Sequence, residues 1–324
     1  MHSQINDILS FINKSDHFLI TAHQSADGDA FASMLATAYI LELWGKSYEI
    51  VIHDDVIDQK YQFLWGIDKI NTFSAKLKKD FEAAIVLDVP SLKRIGDPAQ
   101  LLPSRKYCVK IDHHPVEEDF AEYSLVDTQA SSTSQLLYEL VEAARISLTS
   151  DLAQLIFTGI MYDTGRFSFS NTRKRDFEIA AILTGHQVKP HLIANQLFYS
   201  SSFQSMKTLG FALNNLEIYL DGILSIIFLP YTLMIENNHS EIEELANYSV
   251  AIRGVEVGLF IREVEPNFFK VSLRSRGRIN VNLIAKTLGG GGHEHAAGTR
   301  FKGRYEDLKD RLIREVEKHA NLAK

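Results

Sequence analysis

The sequence predicts an α/β protein of two domains: an N-terminal domain with a mainly parallel sheet flanked by helices, then a helical linker, then a smaller α/β C-terminal domain. Three observations predict it. Apolar, β-rich runs alternate with amphipathic segments through the first half, which is the mark of parallel α/β construction. From about Gly185 that alternation gives way to helical pattern alone, followed by closely spaced strands. Finally, 324 residues, 45% hydrophobic and 23% charged, are ample for two cores and more than one ordinary domain needs.

In chain order, the first candidate strands are "FLITAH" (18–23), "YEIVIHD" (48–54), "AAIVLD" (83–88) and "YCVKID" (107–112). Between the first two, "GDAFASMLATAYILELWG" repeats apolar residues at helical spacing from Phe31 to Leu43, and Gly45 supplies the stop. Helices also fit "SSTSQLLYELVEAARI", whose serines suit capping, and "SDLAQLIFTGIMYD". "KPHLIANQLFYSSSFQSMKTLGFALNNL" reads as two or three helices with no strand between them. Strands follow in "GILSIIFLP", "VGLFIREVE" and "FFKVSLRSRG". "NVNLIAKTLGGGGHEHAAGTRFKG" then reads as helix, glycine loop and strand, with a charged helix in 305–320 to close. The expected division is 1–185, a linker over 186–204, and 205–324.

Composition bounds the function. The longest apolar runs fall well short of the ~20 residues that span a bilayer, and "MHSQINDILS" lacks the cationic and apolar parts of a signal peptide. A cytoplasmic protein with no membrane partner is expected. One cysteine, Cys108, excludes internal disulfides and multi-thiolate metal sites, so any metal must sit on oxygen and imidazole. The net charge of −7 is uneven: Lys and Arg number 17 against 26 acids in 1–185, and 17 against 15 in 186–324. Within 270–304, Lys270, Arg274, Arg276, Arg278, Lys286, Arg300, Lys302 and Arg304 face a single acid, Glu294. That pattern suits an anion site, although a solvated basic edge reads the same way.

The stretch "IDHHP" (111–115) ends a buried-type strand with an acid and two imidazoles, which costs desolvation unless something polar compensates. In open α/β sheets ligands collect outside the carboxyl ends of the strands. The polar residues expected there are His23, Asp27 and Asp29 of "HQSADGDA", Asp88 of "VLDVPS", and Asp112, His113 and His114; Asp163 of "GIMYDTGRF" joins them from the end of a helix. Singly these are ordinary residues, since "DGD" is a common turn or cap sequence and an acid at a helix end is usually solvated. Together, four carboxylates brought to one edge would raise one another's pKa unless divalent ions sat among them.

With "HQSADGDAFAS", "VLD", "IDHHP" and "GIMYDTGRFSFSNT" in that order, and "GGGGHEHAAG" near the end, the sequence resembles the DHH phosphoesterase superfamily over nearly its whole length, nearest to its oligoribonuclease and pAp phosphatase group. "VDTQASSTSQLLYEL" and "VSLRSRG" point the same way. The resemblance implies a first metal on His23, Asp27 and Asp88, and a second on Asp29, Asp88, His113 and Asp163. It implies that Asp112 orients its neighbours and that His114 meets the scissile phosphate. The implied substrates are RNA oligonucleotides of two to about five nucleotides, and pAp, but no long nucleic acid; a homodimer is left open. Ala26 where proline is usual, Ala32 where glycine is common, and Glu294 after His293 where proline is frequent are departures that remove no ligand.

Carboxylates with imidazoles and no thiolate suit two Mn²⁺ ions, with Mg²⁺ as the alternative, since two imidazole ligands are more than magnesium usually accepts. Two ions about 4 Å apart make a protein nucleophile unnecessary. Arg166, three residues beyond Asp163, is placed to neutralise charge on the phosphate. In the second domain Gly290, Gly291 and Gly292 let the backbone approach an anion, and Arg274, helped by Arg276 and His293, would cap a terminal 5′-phosphate. Two alternatives remain: a phosphodiesterase of linear pApA or of a cyclic dinucleotide, and, in a different class, a nucleotide-binding protein with a dead site, which a missing ligand would have supported.

Overall fold

Strand β1 (Phe18–Thr21) is buried at every position and lies in the middle of a sheet of six. Its neighbours are β2 (Tyr48–Ile52), β3 (Ile70–Thr72), β4 (Ala83–Leu87), β5 (Cys108–Asp112) and β6 (Tyr123–Val126). The order is β3-β2-β1-β4-β5-β6 and every pairing is parallel. The strand order reverses between β1 and β4, and ligands gather at such a point in open α/β sheets. The structure is a computed structural model that describes residues 2–77, 80–234, 245–292 and 294–322. It forms two compact units, 1–200 and 201–324.

The continuous apolar runs are explained by burial on both faces. One face of the first sheet carries Phe18, Ile20, Ile50, Ile85, Val109 and Ile111 into a core shared with the helices. The alternate residues Leu19, Val51, Ala84, Val86 and Cys108 form a second core on the other face, covered by short turns of helix, α3 (Leu92–Ile95) among them. The helical face holds α1 (His2–Lys14), α2 (Gly28–Leu43), α4 (Thr133–Ala143), α5 (Ser150–Asp163), α6 (Lys174–Gly185) and α7 (Pro190–Phe198). Helix α2 is buried almost all round because it packs against α4, α5 and the sheet. Each Leu, Ile or Met it buries contributes about 1.5–3 kcal/mol. It stops where Gly45 takes φ +66°.

The second unit opens with α8 (Phe203–Asn214). Its sheet contains β7 (Glu217–Tyr219), β8 (Leu224–Leu229), β9 (Val257–Glu265), β10 (Phe268–Ser275), β11 (Gly291–Gly292) and β12 (Ala296–Lys302), in the order β11-β12-β10-β9-β8-β7. All pairs are antiparallel except β8 with β9. The chain between those two strands includes α9 (Tyr231–Met234) and α10 (Leu245–Tyr248). One face of the sheet is covered by α11 (Val281–Thr287) and α12 (Tyr305–Leu322), the other by α8 and α10. Buried Glu256 organises the turn after β10, accepting hydrogen bonds from Ser275 Oγ, the backbone N–H of Arg278 and Ile279, and Arg278 Nε. Among the described residues no helix is long and apolar enough to cross a membrane.

Every strand and helix expected from the pattern is present. β3, β6, β7, β11, α1, α3, α6, α9 and α10 were not expected: most have only two to four residues, α1 precedes the first strand signal, and the stretch that forms α6 (174–185) was assigned no element. The expected 186–204 segment is shared between the units: α7 lies in the first and α8 in the second.

Candidate metal centre

The centre is assembled from the carboxyl ends of β1, β4 and β5, the N-termini of α2 and α4, and the C-terminus of α5. Just past β1, buried His23 sets its Nδ1 against its neighbour's carbonyl, Gln24 O, at 3.0 Å, which turns Nε2 toward the acids. Nε2 lies 3.8 Å from Asp27 Oδ1 and 3.4 Å from Asp88 Oδ2. Asp27 is the N-cap of α2, and one of its oxygens accepts from the N–H of Asp29 and Ala30.

Asp29 is fully buried in the first turn of α2, and its carboxylate receives the N–H of Thr133 at 2.7 Å and of Ser134 at 3.0 Å from the start of α4. Two helix N-termini therefore meet on one carboxylate, an arrangement favoured by both dipoles. Room for it comes from Gly159 on α5: a Cβ there would lie 1.9 Å from Ser134 Oγ and 2.4 Å from Asp29 Oδ1.

Asp88 directly follows β4 and takes φ +60°, a conformation that costs a residue with a side chain energy unless its surroundings enforce it. Its N–H remains bonded to Ile111 O, and Thr133 Oγ1 donates to Oδ1 at 3.0 Å. His113 Nε2 lies 3.4 Å from Asp88 Oδ1 and 3.1 Å from Asp163 Oδ2. Asp163 ends α5, where the helix dipole disfavours an acid and a cation partner would offset the cost.

Asp112 is completely buried; its Oδ1 meets His114 Nδ1 at 2.8 Å and accepts the His114 N–H at 3.1 Å. These two contacts with Asp112 fix the orientation of the His114 ring. Beneath it lies Lys110, 2% exposed, with Nζ 3.1 Å from Pro90 O and 3.3 Å from Asp112 Oδ2.

Three groups of side chains could each surround an ion: His23, Asp27 and Asp88; Asp29, His113 and Asp163; and Asp88, His113 and His114. The residues fit such ions on two grounds. His113 Nε2 is buried among carboxylate oxygens yet makes no hydrogen bond, so the contacts suit a shared cation better than a donated proton. The donor set, all carboxylate and imidazole, is one that divalent metal ions accept.

The electrostatics agree. Burial opposes charge on His23, but Asp27 and Asp88 outweigh it and hold the imidazole well above its usual pKa. His113 is likewise pushed up to about 12, with burial opposed by Asp163 and Asp88. Asp29 is raised by burial and then by Asp88 and Asp163; Asp163 rises to about 6 through burial, with Asp27 and Asp88 adding and His113 opposing. Asp88, although buried, is held low by His113 and His23. The surrounding carboxylates thus favour positive charge at the two imidazoles, where divalent ions would supply it.

Arg166 follows Asp163 in a left-handed turn in which Gly165, Arg166 and Phe167 take φ +53°, +62° and +61°. Its guanidinium stands over the Phe198 ring at 4.9 Å and donates to Tyr199 Oη at 3.1 Å. Thr133, Ser134, Gly159 and Lys110 are the neighbours that sequence reasoning missed. For the first two, the run "SSTS" at a helix start was the available signal; Lys110 looked like an ordinary strand lysine.

In the second unit, Arg274 on β10 reaches Asn247 Oδ1 at 3.2 Å and Leu273 O at 3.2 Å. Arg276 Nε and Nη2 both bond Val250 O, at 3.0 and 2.9 Å. Gly291 and Gly292 pair with Gly298 and Ala297 as β11. A Cβ at Gly290 would lie 2.2 Å from Gly298 O, and Gly292 takes φ +147°. His293 lies outside the described residues. Glu294 is turned to Asn280, the cap of α11.

Comparison with known proteins gives a consistent result. The family described as "DHH family, N-terminal domain" matches residues 17–160, and "DHHA1 domain" matches 229–321. A protein of Thermus thermophilus named bifunctional oligoribonuclease and PAP phosphatase NrnA is 30% identical over 88% of this chain and 84% of its own length. Its namesake in Bacillus subtilis is 29% identical over 96% of this chain and 97% of its own. A solved structure of an exopolyphosphatase-related protein from Bacteroides fragilis, 25% identical, matches with a TM-score of 0.91 over 100% of this chain and 98% of that one.

Proposed function

This chain belongs to the DHH family, and on that premise we propose that it is a metal-dependent phosphoesterase that hydrolyses very short RNA oligonucleotides to mononucleotides and pAp to AMP. The observation that carries this reading is the convergence of His23, Asp27, Asp29, Asp88, His113 and Asp163 into ion-sized groups at one sheet edge. A protein that only bound nucleotides would have no use for so costly a set of buried acids.

His23, Asp27 and Asp88 would hold one ion, and Asp29, Asp88, His113 and Asp163 the second, with Mn²⁺ the expected metal. When bound, such a pair polarises phosphoryl oxygens and makes water a nucleophile at neutral pH. The chain's own residues do the rest. Asp112 fixes the His114 ring so that Nε2 can contact the scissile phosphate, and Arg166 offsets charge growing on the phosphate oxygens. The division of labour in this reading gives catalysis to residues 1–185. Residues 205–324 bind substrate, Arg274 and the Gly290–Gly292 backbone meeting its terminal phosphate, and the whole acts in the cytoplasm.

Asp88→Asn tests the reading, because asparagine tolerates the left-handed backbone while removing the charge. Bound manganese, measured by elemental analysis, should fall, and hydrolysis of a 5′-phosphorylated diadenylate should be abolished. A variant that keeps both metal and rate would end the two-metal reading.

A further inference from the structure

The phosphoesterase reading assigns residues to metal and phosphate and none to the bases, which are the largest flat apolar parts of a short oligonucleotide. We propose that Phe198 and Tyr199, at the end of α7, form a nucleobase-stacking platform beside the metal centre, with Tyr199 presenting the ring on which a base lies.

The platform is tied to the centre by contacts within the first unit. Gly28 stands between Asp27 and Asp29, and Tyr162 lies so close that a Cβ on Gly28 would fall 2.4 Å from its ring. The Tyr162 ring stacks on Phe198 with centroids 6.2 Å apart and planes 16° apart. Tyr199 is next in sequence and 69% exposed, although its phenol is a residue type that usually hides most of its ring. It is nevertheless not loose. Its N–H bonds Asn195 O at 3.1 Å, and its hydroxyl accepts from Arg166 Nη1 at 3.1 Å. The guanidinium lies 4.9 Å from the Phe198 centroid and 5.8 Å from that of Tyr199.

A rigid, exposed aromatic ring held beside a phosphate site is what sequence-tolerant nucleotide binding uses, since every base offers a π-face. The left-handed turn at Gly165–Phe167 adds to the argument. Backbone in that region is retained where neighbours enforce it. Here Thr164 does so: its Oγ1 accepts the Phe167 N–H, and its carbonyl accepts those of Ser168 and Phe169. The turn delivers Arg166 to the two rings, so one residue links the phosphate-facing side of the site to the platform.

The test compares Tyr199→Phe with Tyr199→Ala on diadenylate and on two analogues, each abasic at one nucleoside. Both variants lose the hydrogen bond to Arg166; only alanine loses the ring, and the position is exposed enough for both to fold. On diadenylate the alanine variant should show a KM about ten-fold above the phenylalanine variant. On one abasic analogue the two should be equal, which also identifies the stacked base. Equal KM values on diadenylate, or a difference that persists on both analogues, would overturn the platform. If the parent protein with Mn²⁺ hydrolyses none of the three, the phosphoesterase reading fails separately. The platform is then judged by fluorescence of a 2-aminopurine dinucleotide, which stacking quenches: quenching lost in Tyr199→Ala and kept in Tyr199→Phe supports it, and no quenching by the parent rejects it.

Discussion

Lys110 Nζ and Asp112 Oδ2 lie 3.3 Å apart with both side chains withdrawn from solvent. The lysine hydrogen bond goes to Pro90 O, and Asp112 Oδ2 receives none, so the pair is held by charge. Lys110→Met should leave the Asp112 carboxylate buried and uncompensated, at a cost of about 3–5 kcal/mol. Thermal unfolding should show the loss. Lys110→Met combined with Asp112→Asn should regain most of the stability and none of the activity, because His114 would have lost the anion that orients it. A single variant as stable and active as the parent would show the pair to be idle.

Metal binding should depend steeply on pH. His23 and His113 hold protons far above the ordinary imidazole range when Asp27, Asp88 and Asp163 surround them, and an ion must displace those protons. Apparent Mn²⁺ affinity should therefore rise with pH through neutrality and fall in acid. Calorimetry in buffers of different ionisation enthalpy should show protons released on binding. In the metal-free protein the sign is opposite for the imidazoles. Their raised pKa stabilises the fold fully below about pH 6.5. That contribution is lost as pH rises toward about 12, the value for His113. Affinity that does not change between pH 6 and pH 8 would contradict the ligand set.

Gly159→Ala should damage the centre from behind. In an open helix the change would gain up to about 1 kcal/mol of propensity. Here the new methyl would meet Ser134 Oγ at 1.9 Å and Asp29 Oδ1 at 2.4 Å, within a packed helix pair that cannot open cheaply. Overpacking of this kind costs about 1–3 kcal/mol, so the steric term should win. The variant should melt lower and bind less metal. A rise in melting temperature with metal binding intact would show that α4 yields.

Arg274→Ala separates the two ends of the proposed substrate. It removes a charge-assisted contact worth roughly 1.5–3 kcal/mol, so turnover of a 5′-phosphorylated dinucleotide should drop by about ten- to a hundred-fold. The same dinucleotide without its 5′-phosphate should be a poor substrate of the parent and little worse with the variant. Metal content should not change. Equal losses on both would assign Arg274 to the fold.

What the sequence made legible was whatever repeats with a period or stands at a strand end. The buried strands around His23, Asp88 and Asp112 are continuous apolar runs, and their terminal acids and imidazoles stand out against them. β3 and β6 escaped because edge strands of three or four half-exposed residues have no such contrast. Lys110 escaped for a different reason. Its alternation phase in β5 allows either face, and only the closed packing around Pro90 and Phe120 shows that the amine is buried. The sequence offered Arg276 as a helper of Arg274; it could not show that, in the turn built around Glu256, its guanidinium bonds the Val250 carbonyl.

The division into two compact units has a consequence for biosynthesis. Every residue proposed as a metal ligand falls within the first 200, and none of that unit's strands waits for a partner from residues 201–324. At ordinary translation speeds the later residues take on the order of ten seconds to make. During that interval a nascent chain already carries all the groups of the ion-binding edge while the glycine-loop sheet does not yet exist. Cellular metal supply at the ribosome, more than in the finished protein, would then decide which ion is captured first.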